Sequence, residues 1–346
     1  MATSLANKYR PQTFEDAVGQ STTVDMVKKL CSAETLSNRN FLFTGPAGCG
    51  KTTISRLIAK TLNGNMENII EVDAASHGNV DDVRELIQEA AQYPIGSKYK
   101  VIIEDEAHMI TAQGWGALLK CLEEQVGNTV WIFATTNPEK IPDTIISRVQ
   151  PFKLSKIDVK TIQTRLKYIL DSEIAEGREI TYTDEALSYL AKYAQGGMRD
   201  AITSLDKCLA FDTNITSEVL EKALDLPNYD EYFNLLNSLV RKDNTGIVSM
   251  VDTVYNSGTN FVKWFEGFHS FLCNIVKYVL LQDISKTMIP YHYQEKLSKY
   301  GSSHVFVCLK LANVVMAMNK ELKFTQYLQE TAITYLCTPI APKKEG

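Results

Sequence analysis

The sequence predicts an α/β domain built on a parallel sheet, followed by two helical domains. Three observations carry that prediction. Short apolar runs alternate with helical patterns over roughly the first 150 residues, a glycine-rich turn joins the first such run to the first such helix, and strand signals fade beyond about residue 153. Alternation of this kind implies crossover helices covering both faces of a parallel sheet.

Phe41-Leu42-Phe43 reads as a buried strand, followed by the glycine turn and by Ile54, Leu57, Ile58 and Leu62 at helical spacing. Val101-Ile102-Ile103 is a second strand, and Trp115, Leu118, Leu119 and Leu122 mark one face of the helix after it. Val130-Trp131-Ile132-Phe133-Ala134 is a third strand. Next, Val159, Ile162, Leu166 and Ile169 fit one helix; Ala186, Leu187, Leu190, Ala191 and Ala194 fit another, capped near Thr183 and stopped by Gly196-Gly197. A further helix carries Leu205 and Leu209. Helical patterns then cover 232–240, 246–255, 261–280 and one long stretch, 305–336. In the third of these, Trp264, Phe265, Phe268, Phe271 and Leu272 form an aromatic stripe read as core, with an inter-subunit contact as the alternative.

The 346 residues are 45% apolar and 22% charged, as in ordinary soluble globular proteins, and the net charge is −5. That charge argues against tail-driven nucleic-acid binding and leaves room for a local basic patch. Cys31, Cys49, Cys121, Cys208, Cys273, Cys308 and Cys337 are scattered without a C-x-x-C pair, and the five histidines do not pair at ligand spacing, so no zinc site is expected. There is no basic n-region followed by an apolar run, and 305–318 is too short and too interrupted to span a bilayer; a cytoplasmic protein without membrane contact is expected.

Gly45-Pro46-Ala47-Gly48-Cys49-Gly50-Lys51-Thr52 is a complete G-x-x-x-x-G-K-T loop in strand–loop–helix context. Its glycines permit backbone conformations that turn N–H groups toward a phosphate chain, Lys51 reaches the β- and γ-phosphates, and Thr52 binds Mg²⁺. The alternative is a glycine-rich turn without ligand. Asp105-Glu106 ends the second strand; there one carboxylate can hold Mg²⁺ and the next can polarise the attacking water, the alternative being a solvated acidic turn. Glu104 occupies a position expected to be apolar. Strand alternation points it away from Asp105, and it reads as paired or partly exposed rather than catalytic.

Lys8-Tyr9-Arg10-Pro11, Phe14 and Val18-Gly19-Gln20 resemble the opening motif of clamp-loader ATPases of the AAA+ class. The phosphate loop is followed by Asp105-Glu106-Ala107-His108-Met109, similar to their D-E-x-H box. Residues 134–142 with Ile146-Ser147-Arg148 resemble their sensor strand and S-R-C element, and Gly196-Gly197-Met198-Arg199-Asp200-Ala201 their lid sensor. Asp73-Ala74-Ala75-Ser76 resembles one branch, the gamma/tau subunits of bacterial DNA polymerase III. The resemblance runs in order over about residues 5–210 and more loosely into the family's collar.

The resemblance implies a P-loop AAA+ domain at 1–153, a small helical lid at 154–212 and a helical collar at 213–346. It implies ATP and Mg²⁺ as ligands: Tyr9, Arg10 and Val18 line the adenine pocket, and Gly45, Pro46, Ala47, Gly48, Cys49, Gly50, Lys51, Thr52 and Thr53 hold the phosphates. Thr52 and Asp105 hold Mg²⁺, Glu106 holds the attacking water, Thr136 is sensor 1 and Arg199 is sensor 2. Arg148 is a finger into a neighbouring subunit's ATP, where a lone arginine is otherwise a surface charge. The implied partners are other loader subunits in a pentameric open ring, a sliding clamp and primer–template DNA. Arg84 and Lys120 match DNA-facing positions, the alternative being exposed helix charges. His77 and Asn79 stand where relatives carry basic residues. Met109, Ile110 and Trp115 are candidates for clamp contact.

There are departures from the family pattern. Asn63-Gly64-Asn65-Met66-Glu67 stands where gamma/tau subunits insert a four-cysteine zinc module, Val149 replaces the S-R-C cysteine, and a form without the long tau extension is expected. A phage-encoded or divergent bacterial loader fits that pattern. Two other functions compete: an ATP-gated scaffold with little hydrolysis, and a helicase suggested by D-E-A-H. The latter needs a second nucleotide-binding lobe, which the helical C-terminal half does not offer.

Overall fold

The computed structural model describes residues 4–33, 36, 38–64, 68–125 and 127–338. Asn65, Met66 and Glu67, in the place of the zinc module, lie outside the described residues. Two compact units are present: Met1–Ile180 with Leu190–Lys207, and Thr181–Tyr189 with Cys208–Gly346.

The first unit is built on five parallel strands, β1 Asn40–Thr44, β2 Ile69–Asp73, β3 Lys100–Asp105, β4 Thr129–Thr135 and β5 Gln150–Lys153, in the order β2-β3-β4-β1-β5. The three strands expected from the sequence occupy the middle of the sheet. Their alternate side chains feed two cores. Phe41, Phe43, Val101, Ile103, Val130 and Ile132 pack with the helices Ser21–Cys31 and Lys51–Asn63. Leu42, Ile102, Trp131 and Phe133 pack with Val80–Ala90 and Ala112–Glu124 on the other face. The two edge strands carry weaker signals. β5 contains Pro151, which an edge tolerates, and buries only Phe152; β2 has no fully buried residue.

Glu104 departs from its sequence reading. It is 0% exposed, flanked in register by Val72 and Phe133, and neither carboxylate oxygen has a hydrogen-bond partner among the described residues. Burial, with Asp82 nearby, pushes its carboxyl up to about 8. Neither pairing nor exposure relieves it, because its alternation places it on the same sheet face as Ile102. It is a neutral acid in the core at neutral pH.

Helix Val159–Ala175 carries Glu173, which ties the N-terminal segment to it. Lys8 Nζ donates to Glu173 at 2.6 Å and also pairs with Glu176, Tyr9 Oη donates to Glu173 at 2.8 Å, and Arg178 donates to it at 2.7 Å. Burial opposes ionisation of Glu173, but the hydrogen bonds from Arg178, Lys8 and Tyr9 outweigh it and hold the carboxyl near 2. Its folded value lies below the unfolded one. The stabilisation is therefore complete above about pH 4.5 and is lost as pH falls toward 2. Glu173→Gln is expected to cost about 2 kcal/mol at pH 7 and to flatten that acid limb in urea-unfolding curves. An acid limb identical to the parent's would contradict this assignment.

In the second unit, the helices Tyr229–Arg241, Asn244–Asn256 and Phe261–Leu281 match the expected patterns. The aromatic stripe is core: Trp264, Phe265, Phe268, Phe271 and Leu272 are all buried. The single long helix expected over 305–336 is instead two, Ser302–Leu322 and Leu328–Cys337. Thr325 Oγ1 accepts from Tyr327 N at 3.1 Å, a local turn that competes with continued helix. The break lets the second helix pack on Asn244–Asn256 while the first packs along Phe261–Leu281. Among the described residues no single helix is long and apolar enough to cross a membrane, and no cysteine is joined in a disulfide.

Candidate functional site

The carboxyl ends of β1, β3 and β4 converge, the position where open parallel sheets bind ligands. The loop after β1 begins at Gly45, whose N–H is held by Thr135 O at the end of β4. Gly45 has φ +151, and a Cβ there would stand 2.5 Å from Leu154 O, so only glycine fits. The loop ends at Gly50, in the left-handed region, which opens the helix Lys51–Asn63 and aims its first N–H groups into the loop. Lys51 is 6% exposed, and its Nζ donates to Gly45 O and Pro46 O at 3.0 Å each. The charge is thereby held over the centre of the loop.

Thr52 Oγ1 donates to Asp105 Oδ2 at 2.5 Å, joining helix and β3 at the base of the loop. Two oxygen donors this close suit Mg²⁺, which binds few protein carboxylates and takes its other ligands from water and phosphate. Glu106 follows in a left-handed conformation, φ +47, with its N–H donating to Asp105 Oδ1. This turn reverses the side chain toward β4, where Thr136 Oγ1 donates to Glu106 Oε2 at 3.1 Å.

These groups border a cleft of 520 Å³. Ala47, Gly48, Cys49, Gly50, Lys51, Thr52 and Thr53 line it together with Asp105 and Glu106; Tyr9, Arg10 and Val18 line it also, as does Arg199. Gly45 and Pro46 form the loop's entry rather than the cleft wall, and Thr136 meets the cleft only through its bond to Glu106. The Gly196-Gly197 turn that precedes Arg199 meets the loop backbone to backbone. Met198 N donates to Gly48 O at 3.0 Å, and a Cβ on Gly48 would stand 2.9 Å from Gly197 Cα.

Arg148 lies outside this cleft. Its guanidinium bonds Thr144 O at 2.8 Å and Ser147 Oγ at 3.1 Å and faces Glu123 at 3.4 Å, while buried Asn40 donates to Arg148 O. Arg84 and Lys120, with side chains 64% and 83% exposed, pair with Asp81 and Glu124. Asn79 is the N-cap of Val80–Ala90. Of the clamp-contact candidates, Ile110 and Trp115 are buried in the core and only Met109 is exposed. They close the layer over β3 and β4, with Trp115 packed on Phe133.

The profile described as DNA polymerase III clamp loader subunit, ATPase lid domain, matches residues 161–214, and that of DNA polymerase III, delta subunit, matches 63–158. DNA polymerase III subunit gamma of Buchnera aphidicola subsp. Baizongia pistaciae is 32% identical over 332 residues, covering 87% of this chain and 88% of that protein. The chain belongs to the DNA polymerase III gamma/tau family. The gamma/tau subunit of Mycoplasma genitalium is 30% identical across 90% of this chain, and the tau subunit of Escherichia coli K12 is 32% identical across 75%. This gamma/tau-family chain spans 58% and 42% of those two relatives. Among solved structures, RuvB of Thermotoga maritima shares the AAA+ fold, with a TM-score of 0.52 at 20% identity, covering 67% of this chain and 79% of that one.

Several cleft residues of this gamma/tau-family chain escape sequence reasoning. Arg165 lines the cleft and donates from Nη2 to Tyr9 O at 2.9 Å, and Ile157 packs on Gly19. Arg56 and Glu71 form a two-point ion pair at 2.6 and 2.7 Å on the cleft wall. Each lies at an unremarked position on a helix, strand or connection, where no local pattern separates a ligand contact from a surface charge. Among the described residues no group of three or more His, Cys, Asp or Glu side chains could hold a metal ion.

Proposed function

We propose that this chain is the ATPase subunit of a DNA sliding-clamp loader. ATP binding assembles the loader and opens the clamp, and hydrolysis triggered by primer–template DNA releases it. The observation that supports this reading most directly is one cleft. A phosphate loop, Thr52 with Asp105, Glu106 braced by Thr136, and the Arg199 turn all meet there, in a gamma/tau-family chain.

The loop N–H groups and Lys51 bind the phosphates. Thr52 and Asp105 would hold Mg²⁺, which when bound neutralises charge on the phosphate oxygens. Glu106 accepts a proton from the attacking water, with Thr136 fixing its orientation. Tyr9, Arg10 and Val18 receive the base. Arg199 senses the γ-phosphate from the Gly196-Gly197 turn, which already touches the loop, so closure of the lid (154–212 in this reading) follows nucleotide. The remaining divisions of the reading are the nucleotide-binding domain, 1–153, and the collar, 213–346.

The partners are other loader subunits in a pentameric open ring, the clamp, and DNA held by phosphate contacts. Arg84 and Lys120 suit that task because their present pairs are solvent-exposed, contribute little, and exchange readily for phosphate. Arg148 serves the neighbouring subunit's ATP after leaving Glu123. In the assembled loader, Arg148→Ala is expected to lower DNA-stimulated ATP turnover by on the order of 10³-fold while the chain still binds nucleotide. Unchanged stimulated turnover would sink the trans assignment. A flat, near-zero rate for the unaltered loader in every combination of clamp and primed DNA would sink the motor reading and leave the scaffold.

A further inference from the structure

We propose that His108 is a positioning residue that sets the orientation of Glu106 and ties it to the turn at Asn137. It does so through an Nδ1 atom that can serve either the Thr135 hydroxyl or the Glu106 carboxylate. The inference rests on the reading of Glu106 as the group that activates water.

His108 sits on the short 3₁₀ turn Ala107–Met109, and its side chain is almost fully enclosed. Nδ1 lies 3.1 Å from Thr135 Oγ1 and 3.3 Å from Glu106 Oε2. One ring nitrogen cannot satisfy both in the same way. As an acceptor it takes the Thr135 hydroxyl proton, and its lone pair then faces the carboxylate unfavourably. As a donor it binds Glu106 and gives up the Thr135 proton. Thr136 presents a matching choice, since its single hydroxyl proton faces both Glu106 Oε2 at 3.1 Å and Asn137 Oδ1 at 2.9 Å. The two forks are complementary. When Nδ1 accepts from Thr135, the Thr136 proton is the one that holds Glu106; when Nδ1 donates to Glu106, that oxygen has a second donor and the Thr136 proton is free to turn to Asn137.

The junction also points along the chain. Thr135 Oγ1 accepts the Asn137 N–H at 3.0 Å, and Thr135 O accepts the Gly45 N–H at 3.2 Å. Asn137 opens the 3₁₀ turn Pro138–Lys140, which leads into the helix Asp143–Ile146 and Arg148. A small change at the Asn137 turn therefore exchanges the partner of Glu106 without moving the sheet. His108 thereby links the water-activating carboxylate both to the first glycine of the phosphate loop and to the segment carrying Arg148.

The test is steady-state ATP hydrolysis by the full chain, with nucleotide affinity measured separately. His108→Leu is expected to lower kcat by about tenfold or more and to leave nucleotide affinity within about twofold. His108→Asn places an amide where Nδ1 stands and is expected to restore most of the loss; His108→Gln, whose amide reaches toward Nε2, is not. Should His108→Leu fail to fold, the comparison of Asn with Gln carries the test. Unaltered kcat in His108→Leu, or equal activity of the Asn and Gln variants, overturns the proposal. Glu106→Gln run alongside keeps the underlying reading separate: if Glu106→Gln hydrolyses ATP as the parent does, it is the role of Glu106 that fails.

Discussion

Replacing Glu106 with Gln is expected to lower ATP turnover by on the order of 10²- to 10³-fold and leave nucleotide affinity within about twofold. Glutamine keeps the size of the side chain and can still accept the Thr136 hydroxyl, so the 3.1 Å brace survives. What it loses is a basic oxygen to take the proton of the attacking water. In the proposed function the phosphates are held elsewhere, on the loop N–H groups and Lys51 of the same cleft, which is why binding and turnover should separate. Single-turnover hydrolysis and fluorescent-nucleotide titration of the same preparation measure both. Parallel losses in affinity and turnover would mean that Glu106 shapes the loop rather than acting on water.

Glu104→Leu is expected to make the unliganded protein more stable by about 2–4 kcal/mol at pH 8. A polar group buried without hydrogen bonds costs free energy whether or not it is ionised. Here both oxygens are orphaned between Val72 and Phe133. The pH dependence fixes the sign. The folded value near 8 lies above the unfolded value near 4.5, so the ionisation-linked part of the destabilisation is absent below about pH 4.5, grows as pH rises, and is complete above about pH 8, on top of the pH-independent cost of the unbonded carboxyl. Urea-unfolding curves of parent and variant at pH 5 and pH 8 should therefore diverge at the higher pH. A variant less stable than the parent at pH 8 would show that leucine does not fit the space Glu104 fills.

The inner strands of the sheet, the phosphate loop and the helices of the second half were legible in the sequence. Each is specified by near neighbours: an apolar run between turns, glycines at fixed offsets, or apolar residues at helical spacing. The edge strands β2 and β5 were not, because a strand with one exposed side needs few apolar residues, and its pairing partner is remote. The long helix expected over 305–336 failed for a related reason. Periodicity continues across Thr325, and only packing on two different helices shows where the chain must break.

The candidate site divides in the same way. Sequence named Lys51, Thr52, Asp105 and Glu106 from motifs whose spacing carries their chemistry, and Thr136 and Arg199 only through the resemblance to clamp-loader ATPases. It could not show that Glu173 and Arg165 pin Tyr9 beside the cleft, for those contacts join residues more than 150 positions apart. Nor could it rank Met109, Ile110 and Trp115, adjacent in sequence but split between solvent and core.

By itself the sequence determined that a phosphate-binding loop, a strand-end carboxylate pair and a helical second half belong to one chain. Those features depend on local spacing, and local spacing is what a sequence records. The tertiary structure alone decided that Glu104 is an unpaired acid in the core and that the Gly196-Gly197 turn meets Gly48. It alone decided that one imidazole nitrogen faces two partners. Burial and hydrogen-bond competition depend on which distant segments share a volume, and the fold sets that.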